Sequence, residues 1–452
     1  MTQPSASATP SGFVGRLTGA IDGFIQRWLP EPLVIVILLT FFVFGLGIAM
    51  EGASPVAMVG YFGDGFWNLL EFAMQMALVL VIGFVFASTP LSGRLLGAIA
   101  RRASTPGQAI PLVTLVSLAA SFVNWGFGLV IGALFAKRLA REVPEVDYRL
   151  LIASGYSGFL IWHAGLSGSI PLTAATPGNF LEGEIGLIPA SETIFAPFNL
   201  ILLALIAVGL PLLNRMMLNH GGRVVRAGDL HLEDQDEGKL HAPVTTPAAR
   251  LETTRWLGWG IGGFGLAFIA LQVARGEFAL TLNTVNFAFL FAGLLLHGSA
   301  RAFLDALDEA VKGVGGILIQ FPFYAGVMGM MVGSGLAASL TDLFVGGANA
   351  AILPVLAFLS AGVVNVLVPS GGGQWAVQGP IVMPAAEVLG ADKARVLMAI
   401  AWGDAWTNMI QPFWALPALA VAGLNARDIM GFCVLVLAAS GVVLMLGLTF
   451  LP

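Results

Sequence analysis

Asn365–Pro380 reads NVLVPSGGGQWAVQGP, and it cannot be one regular helix although apolar sequence surrounds it. Pro369 has no amide hydrogen to give and biases Val368 away from helical backbone angles. Gly371, Gly372 and Gly373 each disfavour continuous helix by roughly 1 kcal/mol relative to alanine. Ser370, Gln374 and Gln378 put polar side chains into a segment whose flanks suit lipid. In hydrocarbon, an opened backbone is tolerated only where protein buries it or where it lines a watery cavity. The stretch therefore reads as a break between two half-helices, and the freed amides of the second half-helix make an anion site.

Composition sets the environment. The chain has 452 residues, of which 57% are hydrophobic and 10% charged, with a mean hydropathy of +0.87. A water-soluble chain carries about a quarter charged residues, so this is a polytopic, all-α membrane protein. Its 57 glycines and 24 prolines are spread through apolar segments, as in bundles whose helices break and pack closely. The single cysteine, Cys433, excludes an intramolecular disulfide and a multi-cysteine metal site. The sequence carries no GxxxxGK phosphate loop, which argues against ATP-driven transport by this chain alone, and nothing in it points to nucleic acid. The polar N-terminus lacks the basic, apolar and small-residue pattern of a cleaved signal peptide.

About 20 apolar residues cross a bilayer as a helix. On that measure residues 1–29 are a cytoplasmic tail with an amphipathic stretch. Residues 30–213 form a first transmembrane repeat, with spans expected at 30–50, 66–89, 150–175 and 193–213 and a helical hairpin near 110–140. Residues 214–255 are a charged cytoplasmic loop, 256–280 hold a linker helix, and 281–452 form a second repeat with its hairpin near 351–389. Breaks are expected at Asn124–Gly128, at Ser154-Gly155, from His163 to Gly168, and from Trp402 to Pro412.

Basic residues in short loops set orientation. Arg16, Arg27, Arg94, Arg101 and Arg102 fall on one side of the first two spans, and the loop between those spans has none. That places the N-terminus in the cytoplasm. Lys137, Arg138, Arg141 and Arg149 join them only if 110–140 enters and returns, as a re-entrant hairpin.

The second half echoes the first: Asn124 aligns with Asn365, Ser88 with Ser334, and Ser157 with Asp404. The span at 256–274 has no counterpart, and one unpaired crossing would turn the second unit upside down. Two broken helices in corresponding positions of inverted halves point to a substrate site at the bilayer midplane. The candidate substrate-binding residues are Asn124, Trp125, Gly126, Gly128, Ser154, Ser157, Asn365, Ser370, Gly371, Gly372, Gly373, Gln374, Trp375 and Gln378.

Few ionisable groups lie deep in apolar sequence, and such groups are functional candidates by default. Asp404 and Asn408 are four residues apart, on one helical face, with Gln411 nearby. With Asn365 they form an oxygen-rich cluster suited to Na⁺ or to a proton on Asp404; His163 is a further proton carrier. No lysine or arginine lies deep in either hairpin, so a carboxylate would be held by helix N-terminal amides, by Ser, Asn and Gln side chains, or by a bound cation. Trp125, Trp162, Trp375, Trp402 and Trp406 cluster in the broken segments and are candidates to wall a short apolar tail.

Three motifs are similar to the bacterial short-chain fatty acid transporters: LVPSGGGQWAVQGPIVMPAA from Leu367 to Ala386, SFVNWGFGLVIGA from Ser121 to Ala133, and WGDAWTNMIQPFWALP from Trp402 to Pro417. The resemblance implies inner-membrane uptake of carboxylates such as butyrate or acetoacetate, and a superfamily fold of inverted repeats with two re-entrant hairpins. The expectation is an ion-coupled secondary transporter in a lipid bilayer, with Na⁺ or H⁺ as coupling ion and a homodimer left open. A C4-dicarboxylate or amino-acid carrier and a passive anion channel are the alternatives. An intramembrane enzyme would need Ser154 or Ser157 to work with His163.

Overall fold

A computed structural model describes residues 30, 32–219, 224–230, 246–368, 370–411 and 414–452. The amphipathic stretch at 13–29, Pro369, and much of the loop at 214–255 lie outside the described residues. Among those described, all regular structure is helical. Among the described residues eight helices are long and apolar enough to cross a membrane, so the chain is a multi-pass membrane protein.

The helices of the first half are α1 (Pro32–Glu51), α2 (Pro55–Gly65), α3 (Leu70–Ala87), α4 (Pro90–Ala100), α5 (Pro106–Val123), α6 (Trp125–Glu142), α7 (Tyr148–Ser157), α8 (Ser169–Ala175) and α9 (Pro197–Met216). After a short helix, Pro247–Thr253, comes one long helix, α10 (Arg255–Arg275). The second half runs α11 (Leu282–His297), α12 (Ala300–Ala310), α13 (Gly315–Ser334), α14 (Leu336–Gly347), α15 (Leu353–Leu367), α16 (Gly371–Leu389), α17 (Lys393–Thr407), α18 (Ala415–Ala422) and α19 (Ala426–Phe450). The order of long, short and broken helices in α1–α9 recurs in α11–α19.

Packing exchanges the halves. α13 lies against α1 and α2, while its counterpart α3 lies against α11 and α12. α10 stands apart, with 17% of its apolar window buried. It touches α11 through one glycine face. A Cβ at Gly262 would sit 2.8 Å from the Leu295 backbone nitrogen, and one at Gly258 would sit 2.7 Å from the Gly298 carbonyl oxygen. Small residues one turn apart let helix backbones approach in lipid.

Both expected hairpin breaks are present, and their chemistry is the same. Asn124 is extended (φ −156°, ψ 128°); its amide closes α5 on Ala120 O at 3.0 Å, and its Oδ1 accepts from Phe127 N at 2.9 Å to open α6. In the second break Val368 N closes α15 on Val364 O at 2.8 Å, and Ser370, also extended, caps α16 by accepting from Gly373 N at 3.3 Å. The structural partner of Asn124 is thus Ser370 rather than Asn365. That puts the repeat in the same register as the pair Ser88 and Ser334, which end α3 and α13.

Two other expected breaks move. Ser154 and Gly155 are helical, because α7 continues to Ser157 before a 3-10 segment, Gly158–Ala164. Trp402 and Asp404 are also helical, since α17 runs unbroken to Thr407. Four short helices, α2, α4, α12 and α14, were not anticipated from hydropathy.

Candidate functional site

The stretch from Gly158 to Gly168 lies in the most buried of the apolar segments, Tyr148–Ala175, with 94% of its apolar window buried. A seven-residue 3-10 run is long for that geometry, which marks a site under constraint. Glycines at both ends let it press on α5: a Cβ at Gly158 would sit 2.7 Å from Leu118 N, and one at Gly165 would sit 2.8 Å from Phe122 Cα.

This stretch touches both hairpin breaks. Ser167 Oγ accepts from Trp125 N at 2.8 Å, and Leu166 N donates to Phe122 O at 2.7 Å, docking the first break. The Trp125 and Trp162 rings lie 5.7 Å apart, and the Trp162 ring stacks on His163 at 3.6 Å between centroids. His163 in turn lies on Gly371, the first residue of α16; a Cβ there would sit 2.6 Å from His163 Cε1 and 2.8 Å from Trp162 Cη2. Glycine is required at that approach.

Asp404 faces the histidine from α17. His163 Nε2 and Asp404 Oδ1 are 3.3 Å apart, and both side chains are 0% exposed. Behind Asp404, Asn365 Nδ2 lies 2.9 Å from Asp404 O, Thr407 Oγ1 and Asn408 Oδ1. The backbone carbonyl fixes which way this amide points, since it needs a donor. Asn365 Oδ1 is buried and has no partner among the described residues. Tyr156 OH donates to Asn408 O at 2.7 Å, tying α7 to the end of α17. Gln411 is buried, and its Oε1 likewise has no partner among the described residues.

The structure thus brings His163, Asp404, Asn365, Asn408 and Gly371 together. The amides of Gly371 and Gly372 find no acceptor among the described residues, while Gly373 N and Gln374 N are taken by Ser370. Other candidates sit elsewhere. Gly126 faces the α3 backbone at Val79 and Leu80, and Gly128 faces Ser121 across the first hairpin. Ser157 Oγ donates to Ser154 O and accepts from Asn214 Nδ2, both at 2.8 Å; Ser154 Oγ is buried without a partner. Gln374 reaches Ala361 O and Gln378 Oε1 at 3.1 Å, and Gln378 reaches Ser360 Oγ at 2.8 Å, lacing α16 to α15.

The tryptophans divide. Trp125 and Trp162 meet Trp414 and Phe159. Trp402 instead donates to Asn199 Oδ1 at 3.0 Å, and Trp406 to Leu437 O at 2.7 Å. Trp375 is fully buried, and its Nε1 has no acceptor among the described residues.

A recess of about 120 Å³ opens nearby, lined among others by Glu71, Phe72, Gln75, Thr173 and Asn179. Its Phe72 ring abuts Gly372 and Phe321, so one aromatic layer separates the recess from the second break. Sequence reasoning missed Phe72, Ser167, Tyr156 and Thr407. Tyr156 alone carried a signal, as one of only four tyrosines in the chain.

Lipid-length helices, two capped breaks, and a sealed ionisable pair where those breaks meet define a membrane transporter. The sequence matches, over residues 13–451, the family described as Short chain fatty acid transporter. It is 47% identical over 437 residues to a protein of Escherichia coli (strain K12), covering 96% of this chain and 99% of that one. It is 43% identical over 448 residues to one of Haemophilus influenzae (strain ATCC 51907 / DSM 11121 / KW20 / Rd), covering 97% and 100%. Both bear the name "Putative short-chain fatty acid transporter". In fold the chain is similar to the YdaH transporter of Alcanivorax borkumensis, with a TM-score of 0.58 and 16% identity over 93% of this chain and 97% of that one. It is also similar to Neisseria gonorrhoeae MtrF, described as illuminating a class of antimetabolite efflux pumps, with a TM-score of 0.55 and 16% identity over 95% and 97%.

The chain belongs to the short chain fatty acid transporter family. It is a transporter and not an enzyme.

Proposed function

We propose that this protein moves short-chain monocarboxylates, butyrate- and acetoacetate-like, across the inner membrane by alternating access, coupled to a cation, with its N-terminus in the cytoplasm. In this reading the two halves are inverted in the membrane and their hairpins are re-entrant. The relatives' names supply the substrate class. The observation that carries the coupling is the His163–Asp404 pair, 3.3 Å apart and fully buried, against the open amides at the start of α16.

A charge in that position is costly in lipid unless paired. One proton shared by the pair changes its net charge by one, and an incoming carboxylate on the α16 amides compensates that change. Charge compensation of this kind couples the two movements without a fixed lysine or arginine. A second reading, Na⁺ as the coupling ion, is favoured by Asn365 Oδ1 and Asp404 Oδ2, buried oxygens that accept no hydrogen bond among the described residues, since Na⁺ takes oxygen ligands.

Uptake of labelled butyrate into proteoliposomes, with pH and Na⁺ gradients imposed separately, tests this. Accumulation beyond equilibrium under a pH gradient alone supports the proton, and under a Na⁺ gradient alone the sodium ion. Equilibration without accumulation under either gradient identifies a passive channel. A C4-dicarboxylate or amino acid that outcompetes butyrate would reassign the substrate.

A further inference from the structure

A second charged feature, sharing no residue with this site, lies on α4. That helix reads PLSGRLLGAIA, and its residues sort into two stripes. Leu91 and Leu95, one turn apart, are 47% and 57% exposed. Gly93 and Gly97, also one turn apart, open the helix to Arg138 of α6. Arg138 Nη1 donates to Gly93 O at 2.6 Å, and a Cβ at Gly97 would sit 2.7 Å from that Nη1 and 3.6 Å from Arg101 Nη1. Two guanidinium groups therefore converge over a single glycine. Arg94 completes the rim, with Nε donating to Pro90 O at 3.3 Å.

The result is an open groove of about 590 Å³ lined by Pro90, Gly93, Arg94, Gly97, Arg101 and Arg138. Among the described residues, no carboxylate lies within ion-pair distance of any of its three arginines. Three guanidinium groups around one groove repel unless an anion joins them, and their planar forks match phosphate oxygens. The same helix offers exposed leucines beside the arginines. A soluble phosphate has no use for them, but a lipid does: its headgroup phosphate meets the guanidinium groups while an acyl chain lies on Leu91 and Leu95. The groove also lies among the loops where the chain's basic residues concentrate, with Arg102, Lys137 and Arg141 close in sequence. Anionic lipids gather at such segments.

We infer that the groove between α4 and α6 is a binding site for the headgroup of an anionic phospholipid. The inference is independent of the substrate and of the coupling ion.

Native mass spectrometry of the full-length protein, delipidated and titrated with phosphatidylglycerol or phosphatidylcholine, tests it. Wild type should retain phosphatidylglycerol in preference to phosphatidylcholine. Each of R94Q, R101Q and R138Q should weaken retention about fivefold. A triple Arg→Lys variant should fall between wild type and the triple Arg→Gln variant, since it keeps the charge and loses the fork. L91S/L95S should weaken retention with all arginines present. R275Q, remote on α10, should bind as wild type does, and monodisperse elution of every variant shows that loss of lipid is not loss of fold. The inference is overturned if the triple Arg→Gln variant retains phosphatidylglycerol equally. It is likewise overturned if inorganic phosphate displaces the lipid while L91S/L95S binds normally, because the site then reads phosphate alone.

Discussion

His163 and Asp404 come from opposite halves of the chain, yet Nε2 of the one lies 3.3 Å from Oδ1 of the other, with both side chains wholly buried. Two routes hold them there. His163 is fixed by its stack on Trp162 and by the missing side chain of Gly371. Asp404 is held through its own carbonyl, which accepts from Asn365.

Asp404→Asn keeps the shape of the side chain and removes its charge. Accumulation of labelled butyrate should fall to the level of empty liposomes while thermal stability stays near wild type. Full accumulation by the variant would take Asp404 out of the coupling step.

Gly371→Ala forces a methyl group onto the His163 and Trp162 rings. Overpacking of this kind costs ~1–3 kcal/mol, so both the unfolding midpoint and the initial uptake rate should drop. Gly346→Ala, where nothing lies within 4 Å, should change neither. Equal behaviour of the two variants would mean that α16 does not need its close approach to His163.

Asn124→Ala removes the side chain at the N-cap of α6, which accepts from Phe127 N, at a cost of ~1 kcal/mol. Asn124→Asp or Asn124→Ser should restore most of that loss, because either can cap. Denaturation in lipid-matched micelles reads the difference. A stable alanine variant would show that the first break does not rely on its cap.

Phe72→Ala removes the ring between the 120 Å³ recess and Gly372. Competition assays should then shift toward longer acids, hexanoate over butyrate, by roughly tenfold, as expected for added apolar volume. An unchanged chain-length profile would place the substrate's tail elsewhere.

Ser157→Ala breaks the link between α7 and Asn214. Stability should fall by ~1 kcal/mol with KM for butyrate unaltered. A raised KM at unchanged stability would instead give Ser157 a substrate contact.

The long helices were legible because spanning lipid demands length and apolarity together, as at 66–89, where the span expected there holds the helix Leu70–Ala87. The hairpin breaks were legible because proline and glycine oppose helix wherever they cluster. The short helices were not: α4 and α12 have 11 residues each, too few to register as crossings. The repeat was sensed, but its register at the hairpins was misread. Asn124 matched Asn365 by identity, whereas its counterpart Ser370 matches it by function, because serine and asparagine cap a helix equally well. The deepest feature of the site was hidden for a plainer reason. No local pattern says that residue 163 meets residue 404, or that a glycine at 371 is there to admit an imidazole.

The exchanged packing of α3 and α13 bears on how the chain is made. α3 leaves the ribosome long before α11 and α12, its partners, have been synthesised. During that interval the side of α3 that meets them has lipid or an insertion chaperone for company, although its other side packs on α6. The first half is therefore not a domain that can be finished and set aside. Expressed alone it should be degraded, and co-expression with the second half as a separate polypeptide should rescue both.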